Sequence, residues 1–261
     1  MKVAEVKKND VPKDNPKLAI MYYVFYTMFS TYNLISGKFF RLWYPQMSTF
    51  QILFFRGFTS TIVLFMYMGR DTKKQLIDNV TVENFAPLTF RIFQGIFSQF
   101  VRYYSMSFFS LSMIGVIQKL APVFTVVLAY ILLSERLTPL EILLNVVAVV
   151  SSLLVSVGDH NQNGHQYTNN HYWALIFLIL NPVCIGMSSI ALRKLKKTTT
   201  ETLVTWTNVV QTVFMATAML CLDQSFLYYP SRFSLLDWTL LFGMTLSVIG
   251  AQTCKLLSYQ N

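Results

Sequence analysis

"VIQKLAPVFTVVLAYILLSERLTPLE", Val116 to Glu141, is the stretch on which the fold turns. Its first eighteen residues, to Leu133, carry a single charge, Lys119. At ~1.5 Å per residue such a helix crosses most of a ~30 Å hydrocarbon core. A polar step, Ser134-Glu135-Arg136, interrupts it. Thr138-Pro139-Leu140-Glu141 then reads as a new helix start: an N-cap Thr, Pro at the first helical position and Glu three residues after the cap. One apolar helix, a tight turn and the next helix therefore lie within this segment. Lys119 and Pro122 stand out, because a cation and a helix breaker interrupt an otherwise apolar run.

The whole chain has the same character. Of its 261 residues 54% are hydrophobic and 13% charged, with 22 Phe and 14 Tyr, and its mean hydropathy is positive. This composition describes an all-α membrane protein. The net charge of +9 does not point to nucleic acid, because Lys and Arg sit mostly between apolar blocks rather than on one exposed face. Cys184, Cys221 and Cys254 fall inside apolar blocks without CxxC spacing, so neither a disulfide framework nor a zinc site is expected.

Eight apolar blocks long enough to span can be drawn, at 18–36, 47–68, 88–109, 112–133, 140–157, 172–192, 202–222 and 236–258. Residues 1–17 read as a cytoplasmic tail before a retained first span. Alternate connections beginning with that tail hold thirteen Lys and Arg, against three (Lys38, Arg41 and Arg232) on the other side. This asymmetry places the N-terminus in the cytoplasm; plasma membrane and endomembrane remain alternatives. The sequon Asn79-Val80-Thr81 then faces the cytoplasm and is expected to stay unglycosylated.

Sliding the chain against itself by 153 residues superposes the first block on the sixth, the second on the seventh and the third on the eighth. In that register Ile96, Gln99, Arg102 and Ser105 fall on Ile249, Gln252, Lys255 and Ser258. Five spans, an odd number, separate the copies, so the repeat is inverted in the membrane, a construction common in secondary transporters. Partners for the fourth and fifth blocks would fall near 265–310, past Asn261. The expectation is a truncated second repeat: eight helices present of ten.

"FFRGFTS" in the second span, the segment from Phe93 through Glu141 and the repeat together resemble the EamA domain of the drug/metabolite transporter superfamily. Tyr104-Ser105, Ala121-Pro122-Val123-Phe124 and Leu133-Ser134-Glu135-Arg136 carry that resemblance best. It covers 18–157 as a first five-helix repeat, then 158–171 as a polar connecting loop and 172–261 as an incomplete second repeat. It implies ten helices in two inverted halves, a central substrate cavity and alternating access. It also implies a peripheral second helix, which makes Arg56 structural, with Glu135 a structural residue of the motif.

An ionised group deep in a bilayer costs several kcal/mol and normally faces protein or a wet cavity. Arg102 and Lys119 each lie seven residues from the hairpin joining the third and fourth blocks, at a similar depth of about 10 Å. Two cations at one level suggest an anion site. Ser98, Arg102 and Ser105 form one polar stripe with Gln99 adjoining, and that stripe is expected to face the cavity. Pro122 cannot donate to the carbonyl of Gln118, so a bend is expected beside Lys119. The substrate-binding candidates are thus Arg102, Lys119, Gln99 and Gln118, with Lys255 and Gln252 from the repeat. Asn181 joins them, beside the structural Pro182. Asn33 fits packing better, and Arg91, read as lying within a turn of a helix end, is set aside as a snorkelling residue.

Carboxylates are missing from the deep parts of the blocks, which favours exchange or facilitated diffusion over proton coupling. Without a Walker-type loop, ATP-driven transport is not supported. His160, His165 and His171 have unspecific spacing in a polar connector, so no metal is expected. An enzyme is the least expected class, because no base or carboxylate pair faces a common site. The leading reading is a secondary transporter or exchanger of a small organic solute, anionic if the buried cations meet it. Broad-specificity export of amphipathic metabolites and a non-transporting scaffold derived from a truncated carrier are the alternatives. The expected partners are the bilayer and a small-molecule substrate, with a homodimer left open; no nucleic acid or cofactor is expected.

Overall fold

The computed structural model describes residues 16–73, 76–77, 79–133, 138–163, 169–195, 198–226 and 229–260. Among them the protein is all-α, with nine α-helices: α1 (Pro16–Trp43), α2 (Thr49–Met68), α3 (Val82–Ser105), α4 (Leu111–Gln118), α5 (Ala121–Leu133), α6 (Pro139–Asn163), α7 (Asn169–Lys194), α8 (Thr200–Cys221) and α9 (Leu235–Gln260). Each of the eight apolar blocks is helical, the fourth divided between α4 and α5. Five stretches are long and apolar enough to cross a membrane by length and composition, Thr49–Asp71, Leu111–Ile131, Asn169–Leu192, Thr200–Cys221 and Leu235–Ser258. Helix α3 is long enough but carries Arg91 and Arg102; it turns those cations inward and Phe90 and Phe93 outward. The chain is an integral, multi-pass membrane protein.

Helix starts follow local chemistry. Ser48 caps α2 with a reciprocal box, its Oγ accepting from the Gln51 N–H at 3.1 Å while Gln51 Oε1 accepts from the Ser48 N–H at 2.9 Å. Ser110 Oγ caps α4 by accepting from the Met113 N–H. Helix α6 begins at Pro139, as the Thr-Pro-Leu-Glu signature requires, and runs to Asn163 rather than stopping at 157. Its polar last turn remains helical because intrahelical bonding does not depend on apolar side chains. Glu135 and His165 lie outside the described residues.

The repeat is visible in how helices pair. Displaced by 153 residues, Pro16 falls on Asn169 and Val82 on Leu235, so α1 and α7 start in register, as do α3 and α9. The principal contacts are α1 on α9, α3 on α7 and α2 on α8. Each helix thus meets the copy of its counterpart, the swap that a two-fold relation between halves produces. Helix α2 runs antiparallel to its own copy: Gln51 meets Ser225, Arg56 meets Gln211 and Met68 meets Thr205. Inversion of the halves is therefore direct in the packing. At this crossing a Cβ on Gly57 would stand 2.9 Å from Thr212 Oγ1, which is why the small residue sits there.

Packing corrects one expectation about Arg56. Rather than lying at the periphery, its side chain is 0% exposed. It donates to Gln99 Oε1 at 3.2 Å and to Gln211 Oε1 at 3.3 Å, with its guanidinium 5.1 Å from the Tyr103 ring centroid. The second helix holds its cation inside the bundle because α8 and α9 cover that face.

The expected bend beside Lys119 is a full break. Lys119 ends α4, its N–H donating to the carbonyls of Gly115 and Val116, and Leu120 donates to Ile117. Helix α5 restarts at Ala121, so Pro122 occupies its first turn, where a missing N–H costs no intrahelical bond. Gly186 of α7 lets α5 approach closely, since a Cβ there would lie 3.0 Å from the Thr125 nitrogen. Pro182, by contrast, sits within the continuous helix α7.

Candidate functional site

A cavity of about 580 Å³ lies between the halves, walled by α1, α3, α4, α5, α7 and α9. Its α1 wall runs from Ala19 to Leu34, and its α9 wall ends at Ser258. It therefore extends toward the end of the bundle where α1 begins and α9 finishes. A smaller polar compartment of about 70 Å³ adjoins it. Tyr26, Ser30, Arg102, Ile185 and Lys255 line both.

The sequence candidates converge here. Lys119 and Gln118 line the large compartment, Gln99 and Gln252 the small one, and Arg102 and Lys255 the wall between. Positions paired by the repeat thus arrive at one cavity from opposite helices. Each repeat glutamine is held by a donor from the second helix of its own half. Arg56 donates to Gln99, and Asn208 Nδ2 donates to Gln252 Oε1 at 2.9 Å.

Arg102 Nη1 donates weakly to Ser30 Oγ at 3.4 Å, while its buried Nε finds no acceptor among the described residues. Gln118 Nε2 is likewise a buried donor without one. Lys255 Nζ lies 5.7 Å from the Tyr26 ring centroid.

Four placements differ from the sequence reading. Arg91, set aside as a snorkelling residue, lines the small compartment with Gln94 and Ser98. Helix α3 starts at Val82, so Arg91 is more than two turns inside it. Its signal was present, because Arg91, Gln94, Ser98 and Arg102 share one helical face. Asn181 does not reach either compartment. It lies one turn beyond Ile185, away from the end where α1 begins, fully buried, with Nδ2 and Oδ1 finding no partner among the described residues. Ser105 of the expected stripe is also buried outside the cavity, whereas Ser98 lines it. Asn33, read as a packing residue, does both: it lines the small compartment, accepts from Tyr103 Oη at 3.0 Å and donates to the Met244 carbonyl.

Four cations, Arg91, Arg102, Lys119 and Lys255, therefore border the two adjoining compartments, and among the described residues no carboxylate lines either. No group of His, Cys, Asp or Glu able to hold a metal occurs among the described residues. His171 instead packs its ring 4.9 Å from that of Phe108.

The opposite end of the bundle is closed by contacts between the halves. Tyr44 Oη donates to Asp237 Oδ2 at 2.7 Å, Ser48 Oγ to Gln224 Oε1 at 2.6 Å, and Gln51 Nε2 to the Ser225 carbonyl at 3.1 Å. Phe40 and Tyr44 lie edge-on or tilted against Phe233 at 5.4 and 5.3 Å between centroids. Asp237 is only 5% exposed and also accepts from Ser234 N and Oγ. Burial first, then the Asp237 carboxylate, pushes the Tyr44 phenol up to about 12, so Tyr44 remains the donor at neutral pH. Sequence reasoning missed this closure because its members come from loops and helix ends far apart in the chain.

Two halves packed antiparallel around a cavity, with one end held by contacts between them, form an architecture common among transporters. The model of the EamA-like transporter family matches residues 17–157, more than half of the chain. The chain belongs to the EamA-like transporter family. Comparison with curated proteins found no match. The family match ends at residue 157, before α7, α8 and α9.

Proposed function

We propose that this EamA-like protein is a secondary transporter or exchanger that moves a small organic anion across the membrane by alternating access. One observation carries the reading: four cations and, among the described residues, no carboxylate border the adjoining compartments between the halves. Cations that face a cavity within the membrane are costly, and an anionic solute offsets that cost when it binds. The cavity falls within the ~300–1,000 Å³ range of small-molecule sites. The end where α1 begins is the cytoplasmic one by the positive-inside count, so this conformation is open to the cytoplasm and closed opposite. Among the described residues no acid lines the cavity, which supports exchange or facilitated diffusion over proton coupling.

The test is counterflow in proteoliposomes with anionic and neutral solutes, comparing the unaltered chain with Arg102→Ala and Lys119→Ala. Losing a hydrogen bond from a charged group costs about 1.5–3 kcal/mol. Arg102→Ala therefore raises the half-saturating anion concentration at least tenfold and leaves neutral solutes unaffected. Equal responses of anionic and neutral solutes to both changes would refute the proposal. The apolar share of the larger wall, with Ile20, Leu34 and Val126, supports broad export of amphipathic metabolites as a second reading. Competition by neutral amphiphiles at concentrations matching the anions distinguishes it.

A further inference from the structure

The two compartments differ in more than size. The small one is lined by Arg91, Gln94, Ser98, Gln99 and Gln252, with Arg102 and Lys255 at its junction with the larger space. At about 70 Å³ it admits a compact group of a few heavy atoms but no ring system. The large compartment, about 580 Å³, presents Ile20, Tyr23, Tyr26, Leu34, Pro122 and Val126. A single solute that satisfies both must be divided in the same way: a small, highly charged head and a larger, ring-bearing or apolar body.

Resting on the anion reading above, we infer that the ligand is a phosphate monoester of an apolar or aromatic body, with its phosphate in the small compartment and its body in the large one. Three cations, Arg91, Arg102 and Lys255, border the head position. A phosphate monoester brings about −1.5 to −2 charges at pH 7 and several acceptor oxygens, where a carboxylate brings one charge. Arg102 lines both compartments, so its guanidinium stands where head and body join. On the body side, the paired Tyr23 and Tyr26 rings and Gln118 line the wall. Lys119 borders only the large compartment, so it meets the body or guides the anion inward rather than holding its head.

The experiment is calorimetric titration of the full chain in nanodiscs with inorganic phosphate, methyl phosphate, phenyl phosphate, benzoate and benzyl alcohol. Phenyl phosphate is expected to bind at least tenfold more tightly than methyl phosphate or benzoate, with benzyl alcohol silent. Arg102→Gln should weaken all phosphates together. Val126→Trp, which fills only the large compartment, should remove the advantage of phenyl over methyl phosphate while leaving methyl phosphate binding unchanged. Tyr23→Ala provides the same readout should the tryptophan variant fail to fold. Equal affinity for phenyl and methyl phosphate, still dependent on Arg102, would overturn the division into head and body while the anion reading stands. Benzyl alcohol binding as tightly as phenyl phosphate would overturn both. Displacement of phenyl phosphate by an equal concentration of short-chain phosphatidic acid would overturn the assignment to a soluble ester in favour of a lipid head group.

Discussion

Removing one hydroxyl, by Tyr44→Phe, should loosen the closed end of this transporter while leaving its aromatic packing in place. The phenol donates to the buried Asp237 carboxylate at 2.7 Å, and Asp237 keeps its two bonds from Ser234 after the change. A hydrogen bond to a charged acceptor contributes about 1.5–3 kcal/mol. Tyr44 is only half-buried, so the lower value, about 1.5 kcal/mol, applies, equivalent to roughly tenfold in the opening equilibrium. Two further bonds cross between the halves, Ser48 to Gln224 and Gln51 to Ser225. At about 1 kcal/mol each, they keep the closed state predominant in the variant. The assay uses Phe40→Cys, because Phe40 packs on Phe233 across the closure and is exposed when the halves part. With Cys184, Cys221 and Cys254 replaced by Ser, thiol modification at position 40 is timed with and without Tyr44→Phe. Both arms lack the Phe40 ring, so their ratio isolates the hydroxyl. A roughly tenfold faster modification is expected, and Asp237→Ala should abolish the difference. Identical rates with and without the hydroxyl would refute the latch.

Cross-linking Ser48→Cys to Gln224→Cys with a short bifunctional thiol reagent should stop transport, and reduction should restore it; turnover that continues through a complete cross-link would rule out opening at this end. Gly186→Val places side-chain atoms against the Thr125 backbone, where a Cβ alone would already stand 3.0 Å away. It should lower stability by about 1–3 kcal/mol, read as an earlier thermal loss of monodisperse protein in detergent, and an unchanged transition would contradict the close approach of α5 and α7. Arg56→Met removes the donor to Gln99 and Gln211. Substrate affinity should fall several-fold through the misplaced Gln99, with the fold retained, and unaltered affinity would show that Gln99 needs no such support. Asn79, in a sequon beside the open end, should remain unmodified in microsomes; a glycan there would place the open end on the lumenal side.

Much of the architecture could be read along the chain because a bilayer imposes length and apolarity on every span. The 153-residue register required no coordinates, and α1 and α7, like α3 and α9, start in it. Six site candidates, Arg102, Lys119, Gln99, Gln118, Lys255 and Gln252, were legible because a polar side chain within an apolar helix must face something other than lipid. Helical spacing says which residues share a face, but not how far along that face the cavity extends. Asn181 and Ser105 therefore fell outside it, and Arg91 fell inside.

By itself, then, the sequence determined the membrane class, the helices, the inverted repeat and the cationic character of the interior. These are properties of one helix at a time, or of two segments compared in register. Tertiary structure decided where the cavity begins and ends, that Arg56 supports Gln99 from within the bundle, and that Tyr44 meets Asp237 across the closed end. Those contacts join residues 43 and 193 positions apart. No local periodicity encodes them, because each joins helices that meet only in the folded bundle, within the first half for Arg56 and Gln99 and between the halves for Tyr44 and Asp237.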